Sequence, residues 1–412
     1  MKTLLVSLIS DQTLPNVQLI KEFKDEVDEY FFISTDRMEE KGCRKWIKKA
    51  SLIDKPTHKI EVKEFSFDNI NDQLDSFDFA SYDRIIVNLT GGTKVMTLAA
   101  EDYFKQLGAE IFYITGINSE YIKVFPGRKK EVKVFTHSIT LNEYLEAHGF
   151  TYYYTDISGI PLEYTINLYH KFNKDGFKDY HVALNTLRTH RSRGIKDLSK
   201  TEGEIITFIK HIDYTPQEAN KLSPTEVKYL TGDWFEEYIG LIIKEQLSLD
   251  ENTLQIGVVL NKEQPQIKKN SVNKIIGNEE FIKGGEPDNE IDIMFTYNNK
   301  FYTIECKTSI INYINTGVKD ENGNDKFKEQ NILGDTIYKA DYLKNRFGLH
   351  VQSNIVTLTH IQNYIENSSN LGVQKNKTRS MEDLINRCNL SNIKLIDKSM
   401  LEHTTSLSNL II

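Results

Sequence analysis

Cysteine, proline and tryptophan are scarce in this 412-residue sequence, at three, eight and two residues. Cys43, Cys306 and Cys388 are odd in number and far apart, which argues against a disulfide framework and fits a reducing cytoplasm. No Cys/His spacing suggests a zinc site. No apolar run approaches the length of a membrane span. The apolar opening LLVSLIS reads as a strand, with no signal-like or basic leader before it. Positive charge is not in excess: 51 Lys and Arg face 59 Asp and Glu, a net charge of −8. A protein of this charge meets nucleic acid through local basic patches or a metal, not through its whole field. Two such patches occur, RTHRSRGIK from Arg188 to Lys196 and PGRKKEVK from Pro126 to Lys133. Internal repeats and low-complexity segments are absent.

What is present is a globular composition long enough for two or three domains. The first 150 residues alternate strands (TLLVSLI, YFFIST, HKIEVKEF, RIIVNLT, EIFYIT) with helical stretches at 15–30, 37–50, 69–77 and 93–107. This order predicts a doubly wound, mostly parallel α/β sheet with helices on both faces. A hairpin follows, YIKVF and EVKVF. Residues 141–223 read as helical and polar. The last part mixes a helix beginning SPTEVKYL, a hairpin, a polar loop over 315–331, a helix GDTIYKADYLKNRFG and strands SNIVTLTH and IKLID. The expected domains are 1–145, a helical connector 146–224, and 225–412.

NEIDIMFTYNNKFYTIECKT, from Asn289 to Thr308, alternates apolar and polar residues on both sides of Asn298-Asn299. This predicts a β-hairpin with the two asparagines as its loop. Asp292 then faces Glu305, and Glu290 faces Lys307. Like charges placed opposite each other are destabilising by up to about 1 kcal/mol, so a divalent metal is the natural compensation. A solvent-facing charged hairpin in a slightly different register is the plain alternative.

NLTGGTKVM, Asn88 to Met96, sits where a buried strand meets a helix. Ligands bind at such carboxyl ends of α/β sheets. Gly91-Gly92 permits close backbone approach, and the helix N-terminus offers N–H groups and partial positive charge to an anion. Thr93 and Lys94 add a hydroxyl and a cation. The Walker spacing is absent. SLISDQTLPN ends the first strand in the same layer and offers Ser10, Gln12 and Thr13.

NLTGGTKVM together with SLISDQTLPN resembles the CARF domains of type III CRISPR effectors, over roughly residues 1–145. The resemblance implies a Rossmann-like fold, a homodimer, and a cyclic oligoadenylate bound across its two-fold axis, cyclic tetra-adenylate being the commonest ring. The contacts implied are Ser10, Gln12, Thr13, Thr90, Gly91, Gly92, Thr93, Lys94 and Met96.

Asp292 with Glu305-Cys306-Lys307 resembles the core of the PD-(D/E)XK nucleases, with Glu-Ile in place of the motif's proline. GDWFEEYIGLIIKEQL resembles the upstream Gly-x-x-Phe-Glu element of that group and nominates Glu236 over Glu237, with Gly232 and Gly240 on the same helix face. The implied restriction-endonuclease-like domain holds Mn²⁺ or Mg²⁺ on Asp292, Glu305, Glu236 and the Cys306 carbonyl. Asp292, Glu305, Lys307 and Glu236 are the catalytic set. Lys307 orients water or stabilises charge at phosphorus, and Glu290 positions Lys307 or contacts metal. Lys339 and Arg346 are candidate contacts to a substrate backbone.

The two resemblances together match the CRISPR ancillary nucleases, and imply a cytoplasmic, allosteric enzyme of antiviral defence acting on DNA or RNA. A ligand-responsive nucleic-acid-binding regulator without catalysis is the alternative. A HEPN ribonuclease is excluded by spacing, since only three residues separate Arg346 from His350.

Overall fold

The structure, a computed structural model, describes residues 1–116, 119–127, 129–155, 157–201, 203–262, 290–319, 325–348, 351–370 and 375–412. Arg128, Gly323 and His350 lie outside them.

The N-terminal sheet contains β1 (Thr3–Leu8), β2 (Glu29–Ser34), β3 (Thr57–Glu61), β4 (Arg84–Asn88), β5 (Glu110–Ile114), β6 (Glu120–Phe125) and β7 (Glu131–Val134). Their order is β3-β2-β1-β4-β5-β6-β7. The first five are parallel, and β6 and β7 extend the edge antiparallel. The central strand β1 is buried along its whole length, as its continuous apolar run requires when helices cover both faces. Alternation divides the core. Leu5, Ile86 and Phe112 pack with Val17, Ile20 and Trp46 on one face. Leu4, Val6, Val87 and Ile111 pack with Ile70, Met96 and Phe104 on the other. The single helix expected over 37–50 is two, Asp36–Lys41 and Cys43–Ala50, because Gly42 takes φ 85° between them.

The second sheet draws on β8 (Phe150–Tyr154), β9 (Leu254–Lys262), β10 (Glu290–Tyr297), β11 (Lys300–Lys307), β14 (Val351–Thr357) and β15 (Ile393–Ile396), ordered β15-β14-β11-β10-β9-β8. Between them in sequence, β12 (Ile311–Lys319) and β13 (Asp325–Asn331) form a separate antiparallel pair where a polar loop was expected. β8 lies in the stretch read as helical. It pairs with β9 from Phe150↔Lys262 to Tyr154↔Val258, so residues just past 146 belong to the second sheet. It is an edge strand, with Tyr153 and Tyr154 exposed.

The two sheets share one core. The helix Leu141–Ala147, opened by a Thr140/Glu143 capping box, lies between them. Tyr144 stacks on Phe301 of β11 at 4.2 Å and donates to the Phe347 carbonyl at 2.7 Å. Such a stacked pair is worth about 1 kcal/mol beyond the area it buries. Gly149 follows at φ 71°, where a Cβ would sit 2.2 Å from the Trp46 ring. Among the described residues no helix is long and apolar enough to cross a membrane.

Candidate active site and ligand site

The β10–β11 hairpin turns on Asn298 and Asn299, both left-handed at φ 50° and 57°. Asparagine tolerates that region, and two such residues in succession make the tight turn that matches strand twist. The register runs from Tyr297↔Lys300 to Ile293↔Ile304. Next comes Asp292, whose Oδ2 accepts the Cys306 N–H at 2.7 Å and the Lys307 ammonium at 3.1 Å. Lys307 also donates to the Cys306 carbonyl at 3.0 Å and lies 3.6 Å from Glu305 Oε2. The Cys306 thiol packs in the core beside Ile304 and Val356.

Asp292 and Glu305 are both buried, at 7% and 2% exposed. Burial first, then the Asp292 charge, pushes the Glu305 carboxyl up to about 7, against the pull of Lys339 and Lys307. Lys307 loses some basicity to burial, but Asp292, Glu305 and Glu236 outweigh that and raise it. Lys339 arrives from the helix Leu333–Lys344 and holds Glu305 Oε2 at 2.9 Å. A lone cation on a surface helix is usually solvated; this one reaches the buried carboxylate instead of facing solvent alone.

The helix Trp234–Gln246 supplies the third carboxylate. Glu236 is raised well above its ordinary range by burial, then by the charges of Asp292 and Asp233. Glu237, next to it, points away. Its two oxygens accept the Ser158 N–H at 2.7 Å and hydroxyl at 2.6 Å, so it anchors the connector. Gly240 faces the sheet closely, since a Cβ there would lie 2.6 Å from Ile256. Gly232 does not share that role. It sits in a π-helical turn, Tyr229–Asp233, with open space where a Cβ would go. Such turns commonly mark functional sites, because they re-aim the helix that follows. Asp233 in that turn pairs with Arg191 of the first basic patch, which carries the patch to the rim of the carboxylate cluster.

Asp292, Glu305, Glu236 and the Cys306 carbonyl are all oxygen donors of the kind that Mg²⁺ or Mn²⁺ takes. Glu305 Oε1 is buried without an aligned hydrogen-bond donor, although Lys339 Nζ lies 2.8 Å from it. Two buried carboxylates on neighbouring strands, Asp292 and Glu305, also call for a cation. The donor chemistry therefore fits. Among the described residues no three His, Cys, Asp or Glu side chains converge as a ready ligand set; the Lys307 and Lys339 ammoniums neutralise the same oxygens.

The second site lies at the carboxyl ends of β1 and β4. A Cβ on Gly91 would sit 2.0 Å from the Leu8 carbonyl oxygen, so only glycine lets this loop lie against β1. Gly92 takes φ 76°. Thr93 caps the helix Lys94–Gln106 by accepting the Met96 N–H at 3.2 Å, and donates to the Glu64 carbonyl at 2.7 Å. Its hydroxyl serves the loop first. Lys94 is exposed at the first turn of that helix. Thr90 accepts the Ile114 N–H at 2.8 Å, and Ser10 donates to the Gln12 carbonyl at 3.3 Å. Asn88 and Asn16, buried and joined at 2.9 Å, tie the two loops together.

Two of the expected contacts face elsewhere. Thr13 is buried and donates to the Ala147 carbonyl, and the Met96 side chain lies in the core under Gly92. Thr13 is the residue before the helix Leu14–Phe23 and Met96 lies in the first turn of the helix Lys94–Gln106, and a short motif leaves the side-chain direction at both open. Gln12 and Thr90 border a cavity of about 320 Å³ between the two sheets, which Tyr113, Tyr144, His148 and the Asn298-Asn299 turn also line. Nothing in the sequence reading placed the hairpin turn there.

Residues 4–144 match the family model of the Card1 CARF domain. The N-terminal domain is a CARF domain. Over the whole length the chain has the fold of Can2 from Sulfobacillus thermosulfidooxidans, solved in complex with cyclic tetra-adenylate. That likeness has a TM-score of 0.63 and 20% identity, and covers 97% of each chain. Protein VC1899 from Vibrio cholerae is similar with a TM-score of 0.66 and 15% identity, over 99% of this chain and 96% of the other. No curated protein matches the sequence.

Proposed function

We propose that this protein is a metal-dependent nuclease switched on by a cyclic oligoadenylate at its CARF domain. The observation that carries the reading is the cluster of Asp292, Glu305, Glu236 and Lys307, gathered from β10, β11 and one helix, behind that CARF domain. A regulator that only binds nucleic acid has no need of it. Asp292, Glu305, Glu236 and the Cys306 carbonyl are the proposed ligands of Mn²⁺ or Mg²⁺. When bound, such an ion polarises the phosphodiester and lowers the pKa of a water. Lys307, held by Asp292 and the Cys306 carbonyl, presents its ammonium to the charge that grows on the phosphoryl oxygens. Burial of Glu305 keeps bulk water from screening it.

At the CARF site, Gly91 and Gly92 let the loop lie against β1 at the carboxyl end of the sheet, Lys94 supplies a cation, and Ser10, Gln12 and Thr90 supply polar edges. Can2 shares the fold and was solved with cyclic tetra-adenylate, which makes that ring the first activator to try. A ring of even repeat suits two copies of the chain related by a two-fold axis. The activity is expected to belong to antiviral defence of the type III CRISPR kind.

The test is cleavage of labelled single-stranded RNA, single-stranded DNA and supercoiled plasmid, with Mn²⁺ or Mg²⁺, with and without cyclic tetra-adenylate. Cleavage that needs both metal and ring supports the reading and names the substrate. Ring binding without cleavage of any substrate removes the enzyme and returns the non-catalytic regulator.

A further inference from the structure

Two large aromatic side chains stand out of the helix Leu333–Lys344, Tyr338 at 64% and Tyr342 at 51% exposed. They are four residues apart, so their rings lie about 6 Å apart along one side of the helix. Each is accompanied by an arginine. Arg387 lies 5.8 Å from the Tyr338 ring centre and donates to its hydroxyl at 2.9 Å. Arg346 lies 4.3 Å over the Tyr342 ring and donates to its hydroxyl. Among the described residues the tyrosines are the hydrogen-bond partners of these arginines, and no carboxylate neutralises them. Lys339, between the tyrosines in sequence, reaches Glu305 from the same helix. One exposed tyrosine on a helix needs no explanation. Two Tyr–Arg pairs repeated one turn apart, on the helix whose Lys339 reaches Glu305, do.

We propose that this face is a stacking platform for single-stranded nucleic acid, leading it to the active site. The proposal rests on the nuclease reading and names its substrate class. A single strand exposes the flat faces of its bases, which stack on tyrosine whatever the sequence; a duplex hides them. The arginines meet the phosphates, and their charge opposes that of the strand. Lys339 then marks the passage from platform to carboxylates.

The test compares wild type, Tyr338→Ala/Tyr342→Ala and Tyr338→Phe/Tyr342→Phe. Binding to short labelled single strands (oligo-dT and oligo-rU) and to a duplex of matched length is read by fluorescence anisotropy in EDTA, with and without cyclic tetra-adenylate. The alanine pair is expected to weaken single-strand binding by at least about tenfold. The phenylalanine pair is expected to stay within about twofold of wild type, since the rings remain. Duplex binding is expected to stay unchanged. Single-strand binding untouched by the alanine pair overturns the platform, and so does equal loss in the phenylalanine pair, which would assign the effect to the hydroxyls. Loss of dimer mass by light scattering in the alanine pair, with single-strand binding intact, would give the face to a second copy. Wild-type protein that binds neither strand form overturns the platform, whereas the nuclease reading stands or falls separately on the metal- and ring-dependent cleavage assay.

Discussion

Asn299 accepts the backbone N–H of Ile139 through its Oδ1 at 2.7 Å, across the boundary between the two sheets. Its Nδ2 donates to the Ser119 hydroxyl at 2.5 Å and the His137 carbonyl at 3.2 Å. The tip of the hairpin that carries Asp292 and Glu305 is therefore pinned to the CARF domain. It borders the same cavity as Gln12 and Thr90. From Asn299 to Glu305 is roughly 20 Å along a single strand. A ligand that moves β5–β6 or the first loop has a rigid lever to the carboxylates.

Asn299→Gly is the variant that tests this lever. Glycine keeps the left-handed turn and removes only the side-chain bonds. The expected outcome is unchanged affinity for cyclic tetra-adenylate by calorimetry, with stimulation of cleavage reduced about tenfold, within the usual range of coupling energies. Full stimulation in the glycine variant would mean the signal travels elsewhere.

How much of this was legible beforehand depends on how local the cause is. The hairpin and its register were readable, because two asparagines fix the turn and the period of two fixes the faces. The glycine loop was readable as a place of close backbone approach, but as an approach to ligand; the contact that forbids a Cβ at Gly91 is with the Leu8 carbonyl of β1. Thr13 and Met96 were not. Whether a loop side chain turns to ligand or core depends on what packs behind it, here Ala147 and the helix Lys94–Gln106. The sequence offered Lys339 as a contact to substrate; its bond to Glu305 spans 34 residues and exists only once two elements meet. β8 was missed because an edge strand of five residues, mostly tyrosine, carries little alternation.

At the ligand site, Lys94→Ala and Gly91→Ala should separate charge from shape. Lys94 is exposed, so its loss should leave the melting temperature unchanged and weaken cyclic tetra-adenylate by roughly tenfold, as expected for one charged contact. Gly91→Ala drives a methyl into the Leu8 carbonyl, and should cost at least about 2 kcal/mol of stability as well as affinity. Calorimetry and thermal denaturation on both variants give the comparison. Unchanged affinity in Lys94→Ala would remove that cation from the site.

Acid sensitivity is expected at the N-terminal edge. Hydrogen bonds from Tyr82, Lys2 and His58 hold the Glu29 carboxyl down at about 2, below its ordinary 4.5. The folded state thus prefers the ionised form. Its contribution to stability is complete above pH 4.5 and is lost as pH falls from there through about 2. Tyr82→Phe removes one donor, at 2.6 Å. Urea denaturation should show this variant less stable than wild type at pH 7, with the gap closing below pH 4. A gap that stays constant to pH 2.5 would trace the loss to packing of the ring.

Glu236 and Glu237 are adjacent, alike, and predicted to fail in opposite ways. Glu237 accepts two bonds from Ser158 inside the fold, so Glu237→Gln should cost about 1–2 kcal/mol and lower the melting temperature. Its effect on cleavage should be no larger than that loss of stability explains. Glu236 shares its site with Asp292, whose charge disfavours ionisation of Glu236. Glu236→Gln removes that repulsion, so stability should hold or rise while metal- and ring-dependent cleavage falls by at least about a hundredfold, as expected when a ligand of a catalytic ion is neutralised. Isothermal titration with Mn²⁺ adds a readout independent of turnover, since Glu236→Gln should weaken the ion and Glu237→Gln should not. If the two variants exchange these behaviours, the π-helical turn before Trp234 aims the helix differently from the arrangement described, and Glu237 is the third carboxylate.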